Sequence, residues 1–172
     1  SSNIKRKYFQ WQSNLNFSWY NDKVTNYYRT DINGRFYVTP ESPTFTGIIG
    51  KPLYSFYSYK WRGLDSNNGD PVGIINGYDS KNYNAITGDS TLIADLIYSG
   101  SAIPVIYGSL GNSFSWKSLT LSFRVQYNLG YYYRRKAIHY SSLFSNADGG
   151  HSEYANRWIK PGDEQHTNVP SM

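Results

Sequence analysis

Cysteine is absent from this 172-residue chain, which excludes disulfides and thiolate metal sites but leaves the compartment open. No run of about 18 apolar residues occurs, so a transmembrane helix is excluded. Residues 1–10 lack the apolar stretch of a signal peptide. A secreted barrel built on this sequence is therefore expected either to have lost such a peptide or to be represented here by a piece. The three histidines, His139, His151 and His166, share no ligand spacing and are expected on polar surface. Gly-Xaa-Ser-Xaa-Gly, His-Glu-Xaa-Xaa-His and a phosphate-binding glycine loop are all missing, so no catalytic residue, metal or cofactor is expected. Asp163 and Glu164 are adjacent and point apart in an extended chain, which argues against a glycosidase pair. The oxygens of 65–70 are spaced for Ca²⁺, but glycine falls fifth and Asn76 twelfth, which fits an Asx-rich turn better. Net charge is +5, yet basic and aromatic residues do not interleave into any nucleic-acid motif.

Aromatic residues are abundant instead. They make up 18% of a chain that is only 39% apolar, with 18 Tyr and 5 Trp. Rings with a polar edge suit membrane interfaces or carbohydrate-facing surfaces, and their number argues against disorder. From Leu119 to Tyr133 the pattern is strictly alternating. Leu119, Leu121, Phe123, Val125, Tyr127, Leu129, Tyr131 and Tyr133 take one face, and Thr120, Ser122, Arg124, Gln126 and Asn128 the other. Such a strand would reach about 50 Å, well beyond the roughly 17–20 Å usual in soluble domains. It suits a tilted strand crossing an outer membrane, with the tyrosines ending the apolar band as a girdle.

Residues 105–116 alternate more weakly, with Leu110, Phe114 and Trp116 on the apolar side, and 11–19 alternate clearly between Trp11 and Trp19. A fourth candidate, 53–61, is aromatic on both faces. Strands are thus expected near 8–20, 52–62, 103–117 and 119–133, within one segment covering 1–172, without a linker between domains. Lys117-Ser118 is as short as a hairpin turn can be, whereas 63–102 and 134–172 are long and polar. Because outer-membrane barrels keep short turns inside and long loops outside, alternation makes 119–133 and 53–61 run outward, and 105–116 and 11–19 inward. That order leaves 21–51 as a long inner connection, with a small hairpin expected at Asp31-Ile32-Asn33-Gly34. Within the first outer loop, 90–98 is expected to form two helical turns capped by Ser90 and stopped by Gly100. Two basic clusters stand out, Lys5-Arg6-Lys7 and Arg134-Arg135-Lys136; the second is placed either at anionic head groups or in a solvated loop end.

Several short motifs occur in one order: Gly63-Leu64-Asp65 with Gly69-Asp70-Pro71, Gly100-Ser101-Ala102-Ile103-Pro104, Tyr107-Gly108-Ser109-Leu110-Gly111-Asn112-Ser113-Phe114, and Arg157-Trp158 followed by Pro161-Gly162-Asp163-Glu164 and Thr167-Asn168-Val169-Pro170. In this combination the chain resembles the SusC/RagA-type TonB-dependent outer-membrane transporters of Bacteroidetes. The resemblance implies an all-β fold, antiparallel strands of a 22-stranded transmembrane barrel, of which this chain is an internal to C-terminal part. It also implies import of nutrients, oligosaccharide or peptide, driven by TonB through a plug that is absent here. A SusD-like surface lipoprotein is the implied partner.

Trp61, Arg62, Tyr154, Arg157 and Trp158 lie at or beyond outer strand ends and are the candidate ligand contacts, because sugar faces stack on aromatic rings. Loop packing is the competing role for Arg157 and Trp158. Arg124, Gln126 and Asn128 would face the lumen or a plug. Two alternatives stay open: a soluble, aromatic-rich β-sandwich that binds glycan at the cell surface, and a loop-rich fragment that docks onto a lipoprotein.

Overall fold

The structure, a computed structural model, describes residues 2–29, 33–38, 45–145 and 150–172. Its strands are β1 (Ser2–Lys5), β2 (Phe9–Trp19), β3 (Ser55–Tyr59), β4 (Trp61–Leu64), β5 (Pro71–Ile75), β6 (Tyr78–Ser80), β7 (Leu96–Ser101), β8 (Ile106–Trp116) and β9 (Leu119–Leu129). Two short helices, α1 (Tyr83–Thr87) and α2 (Tyr140–Phe144), and a few 3-10 turns join them. The fold is all-β, and every strand pair whose register is resolved is antiparallel. The chain packs into two compact units, Ser1–Tyr28 with Phe45–Ser55 and Gly100–Tyr132, and Arg29–Thr44 with Phe56–Ser99 and Tyr133–Met172. Each unit draws on three segments, so no single linker divides them.

The first unit is a four-stranded sheet in the order β1-β2-β8-β9. Its three long strands have 11 residues each and pair without slippage from Phe9↔Trp116 to Trp19↔Ile106 and from Trp116↔Leu119 to Ile106↔Leu129. This register puts Trp11 beside Phe114 and Leu15 beside Leu110, so the three alternating patterns fuse into one apolar face and one polar face. The rings of Trp11 and Phe114 stack at 5.7 Å, and those of Phe114 and Phe123 at 6.2 Å.

Three expectations need correction here. First, β9 ends at Leu129, so Tyr131 and Tyr133 lie outside the strand. Gly130 turns the chain at φ +73°, where an added Cβ would also lie 2.2 Å from Val105 Cγ2. Second, β2 and β8 are antiparallel, so 11–19 and 105–116 run in opposite directions. Residues 53–61 are not a crossing of this sheet. β3 instead pairs with β7 in a separate two-stranded sheet, and β4 starts another. Everything from 20 to 105 is therefore one excursion between neighbouring strands, closed where Tyr20 N–H donates to Val105 O at 2.8 Å. All long connections leave from one end of the sheet, and the short turns after β1 and β8 share the other. There, Lys117 N–H donates to Tyr8 O at 2.9 Å. Third, 90–98 is not helical. Ile93–Asp95 is a single 3-10 turn and Leu96 opens β7. The reason is visible in the hydroxyls: Thr91 Oγ1 donates to Ile86 O at 2.7 Å and Ser90 Oγ to Ala85 O, so both close the preceding helix rather than cap a new one. The hairpin expected at Asp31-Ile32-Asn33-Gly34 lies partly outside the described residues; Gly34–Tyr37 is a 3-10 turn.

The second unit holds the buried core. Tyr37, Tyr57, Ile86, Leu96 and Trp158 are buried. Tyr57 sits between Tyr37 (5.8 Å) and Tyr98 (5.4 Å), and burial, with the neighbouring Tyr98 and Tyr37, pushes its hydroxyl up to about 12. A three-stranded meander, β4-β5-β6, carries α1 against β5, where Gly73 leaves room for Ile86 Cδ1.

Candidate membrane wall and ligand-contact residues

The apolar face of the four-stranded sheet is bare. Leu15, Phe17, Trp19, Leu110, Trp116, Leu119, Leu121, Phe123, Val125 and Leu129 are all exposed, Leu121 at 66% and Val125 at 55%. Burying such a side chain is worth about 1.5–3 kcal/mol, so ten half-exposed ones forfeit roughly 10 kcal/mol, about the net stability of a domain. A face of this kind needs an apolar partner. An 11-residue strand spans roughly 33 Å and, tilted by about 40°, covers about 25 Å, the height of an outer-membrane apolar band.

Several polar groups on that face bond to one another. Asn112 Oδ1 accepts from Trp11 Nε1 at 3.0 Å and from Ser13 Oγ at 2.7 Å, and Asn3 Nδ2 donates to Ser13 Oγ at 2.6 Å. Tyr127 reaches across Gly108 to donate its hydroxyl to Asn16 O at 2.9 Å. An added Cβ at Gly108 would stand 2.5 Å from that hydroxyl and 2.1 Å from Asn16 O, so glycine is required there. Hydroxyls and amides bound in this way cost less to place in an apolar medium than unbonded ones.

The opposite face is polar and dense in short hydrogen bonds: Ser113 to Ser122 at 2.8 Å, Ser115 to Thr120 at 3.0 Å and Asn16 to Ser109 at 3.3 Å. Register places Arg124, Gln126 and Asn128 together on this face, opposite Gly111, Ser109 and Tyr107. Gly111 opens a groove of about 460 Å³ bounded by Gln12, Asn14, Ser113, Ser122 and Arg124.

The other sequence-derived candidates fall in the second unit. Trp61 and Arg62 are exposed on β4, with Arg62 Nε 3.7 Å from Asp79. Tyr154 and Arg157 meet directly: the guanidinium stacks 4.1 Å from the ring centroid and Nη1 donates to Tyr154 O. Arg157 lines an open basin of about 770 Å³ with Arg135, Asn156, His166 and Asn168. Trp158 differs. It is 8% exposed, its Nε1 donates to Glu164 Oε2 at 3.1 Å, and Gly69 lies so close that a Cβ there would approach Trp158 Cδ2 to 2.5 Å. Its ring is occupied by packing and is not free to stack on a ligand. The basic cluster 134–136 is also used internally. Arg134 donates to Tyr57 O and covers Phe56, while Arg135 pairs with Glu153.

Lys81 is a partner of the 65–70 loop that the sequence did not reveal. Its Nζ lies 2.6 Å from Asp65 and 3.3 Å from Asp70, and it also donates to Asn68. An ammonium thus fills the oxygen-rich 65–70 loop where a bound cation would otherwise sit. The Lys81 hydrogen bond, then the Asn67 N–H, holds the Asp65 carboxyl below its usual range. Nothing in the spacing signalled this, because Lys81 arrives from β6, across the meander.

No family model and no curated protein matches the chain. Solved structures do. The chain is similar to a structure of the RagAB peptide transporter, with a TM-score of 0.62 and 21% identity over 99% of this chain. A second likeness is to the RagAB peptide importer in the open-open state, with a TM-score of 0.56 and 19% identity, again over 99% of this chain. The chain spans 18% of the length of each of those chains. At these identities the likeness is one of fold.

Proposed function

We propose that this chain supplies wall and outer loops to a SusC/RagA-type TonB-dependent importer, within a 22-stranded barrel in the outer membrane of a Bacteroidetes-type Gram-negative bacterium. The observation that carries this reading is the apolar face: three 11-residue strands in unbroken register, bare on one side and polar on the other. Lipid would cover the bare side, and the side bearing Arg124, Gln126 and Asn128 would face the lumen or a plug. The arrangement of short turns at one end and long connections at the other fits the same reading. So does the fold likeness to the RagAB transporter, and because that protein is a peptide transporter, it weights the cargo toward peptide over oligosaccharide.

In this reading the chain catalyses nothing and needs no cofactor. Arg157, at the basin, with Tyr154 stacked on its guanidinium, and the exposed Trp61 and Arg62 are the cargo contacts; Trp158 holds the loop of Tyr154 and Arg157. A SusD-like lipoprotein would close the long-connection end, and TonB would act through the plug. The sandwich alternative requires a second layer over Phe123, Val125 and Leu129, all of which are exposed. Detergent dependence tests the choice: the chain should be folded and monodisperse only with an amphiphile. A monodisperse, folded chain in plain buffer would reject the wall.

A further inference from the structure

The four-stranded sheet has an unusual charge distribution. Residues 2–19 and 106–129 contain no Asp or Glu at all. They contain five cations, and four of these, Lys5 at the end of β1, Arg6 and Lys7 in the turn after it, and Lys117 in the turn after β8, cluster at the short-turn end; only Arg124 lies elsewhere, on the polar face. The hydrogen bond from Lys117 N to Tyr8 O brings the two turns side by side, and the pair Phe9↔Trp116 fixes them at the same level. None of the four meets a carboxylate among the described residues. Lys7 Nζ lies 5.3 Å from the Tyr8 ring centroid and Lys117 Nζ 5.2 Å from that of Trp116, and both rings are 57% exposed.

We infer that this short-turn rim is a binding surface for the head groups of anionic phospholipids. The inference rests on the wall reading and extends it to the lipid class. The apolar face begins at Phe9, Trp116 and Leu119, directly beside these cations. An interfacial ring lies at head-group depth, and a lysine stacked on such a ring is held at the level of the lipid phosphates. Four like charges in and beside two adjacent turns repel one another, so an anion that bridges them relieves that repulsion as well as pairing with each.

The test is spin-label lipid selectivity with the full chain in phosphatidylcholine bilayers, comparing labelled phosphatidylglycerol with labelled phosphatidylcholine. The phosphatidylglycerol should be held roughly three- to tenfold more strongly, and the preference should shrink as NaCl rises. Replacing Lys5, Arg6, Lys7 and Lys117 together by Gln should bring the ratio to about one. The matching set, with Lys5→Arg, Lys7→Arg and Lys117→Arg, should keep it, as should Lys160→Gln in the second unit. Equal retention of both lipids by the unmodified chain would overturn the rim, as would a preference that survives the Gln set. Loss of the preference to inorganic phosphate at matched ionic strength would also overturn it, by marking a free-phosphate site. Failure of the wall reading looks different: the chain would then restrict neither lipid.

Discussion

Gly69 and Trp158 show how a single carbon sets the second unit. Gly69 has φ +71° and its α-carbon faces the Trp158 ring, while its carbonyl accepts from Ser171 N–H at 3.0 Å. Gly69→Ala adds both backbone strain and a clash with a buried ring, so a loss of about 1–3 kcal/mol is expected. A lowered Tm, with a red-shifted Trp emission, would register it; an unchanged Tm would contradict the packing. Asp163 gives a pH-dependent case. Its Oδ2 accepts from Ile159 and Lys160 N–H, both at 3.0 Å, and these bonds hold its carboxyl below the usual range. A lowered folded-state value means the contribution is present above the ordinary carboxyl range and is lost as pH falls through the lowered one. Protection factors for amide exchange at Ile159 and Lys160, taken against the intrinsic rate at each pH, should therefore fall at acidic pH, and Asp163→Asn should show lowered protection at neutral pH as well. At this scale the sequence was least legible. The side chain of Trp158 reads as a loop aromatic, and only the distant Gly69 reveals that it is buried. Lys81 carries no local signal because its partners lie 11 and 16 positions upstream.

Among the elements, β2, β8 and β9 were legible because alternation over 11 residues fixes both the conformation and the face of every side chain. β1 was missed because four residues, Ser-Asn-Ile-Lys, are too few and too polar to alternate; it exists by pairing with β2. Strand direction was misread because β3, short and aromatic on both faces, has no periodicity to say which sheet it joins. The turn after β8 yields a prediction of its own. Lys117, its first residue, has φ +53°, a position that favours glycine. Relief of the left-handed penalty outweighs the entropy cost of glycine, so Lys117→Gly should stabilise the hairpin by about 0.5–1 kcal/mol. Chemical denaturation in amphiphile would measure this, and destabilisation would contradict the geometry. On β9 itself, Val125→Arg places a charge near the middle of the apolar face. In a bilayer that should cost about 2–4 kcal/mol of folding free energy, against about zero for a strand face in water.

For the molecule as a whole, the question is what covers the apolar face of the sheet. The complete absence of cysteine makes the chain a clean background for answering it, since every introduced thiol is the only one. Single cysteines at each position from 119 to 129, in the membrane-embedded protein, should alternate. Positions 119, 121, 123, 125 and 129 should resist a water-soluble maleimide and react with a lipid-soluble one, whereas 120, 122, 124, 126 and 128 should react with the water-soluble reagent or be shielded only by a lumen-filling segment. Position 127 should follow the odd set less strongly, because Tyr127 lies flat across Gly108. If the odd positions were closed to both reagents, or open to the water-soluble one, the face would be covered by protein or by water, and the proposed wall would be contradicted.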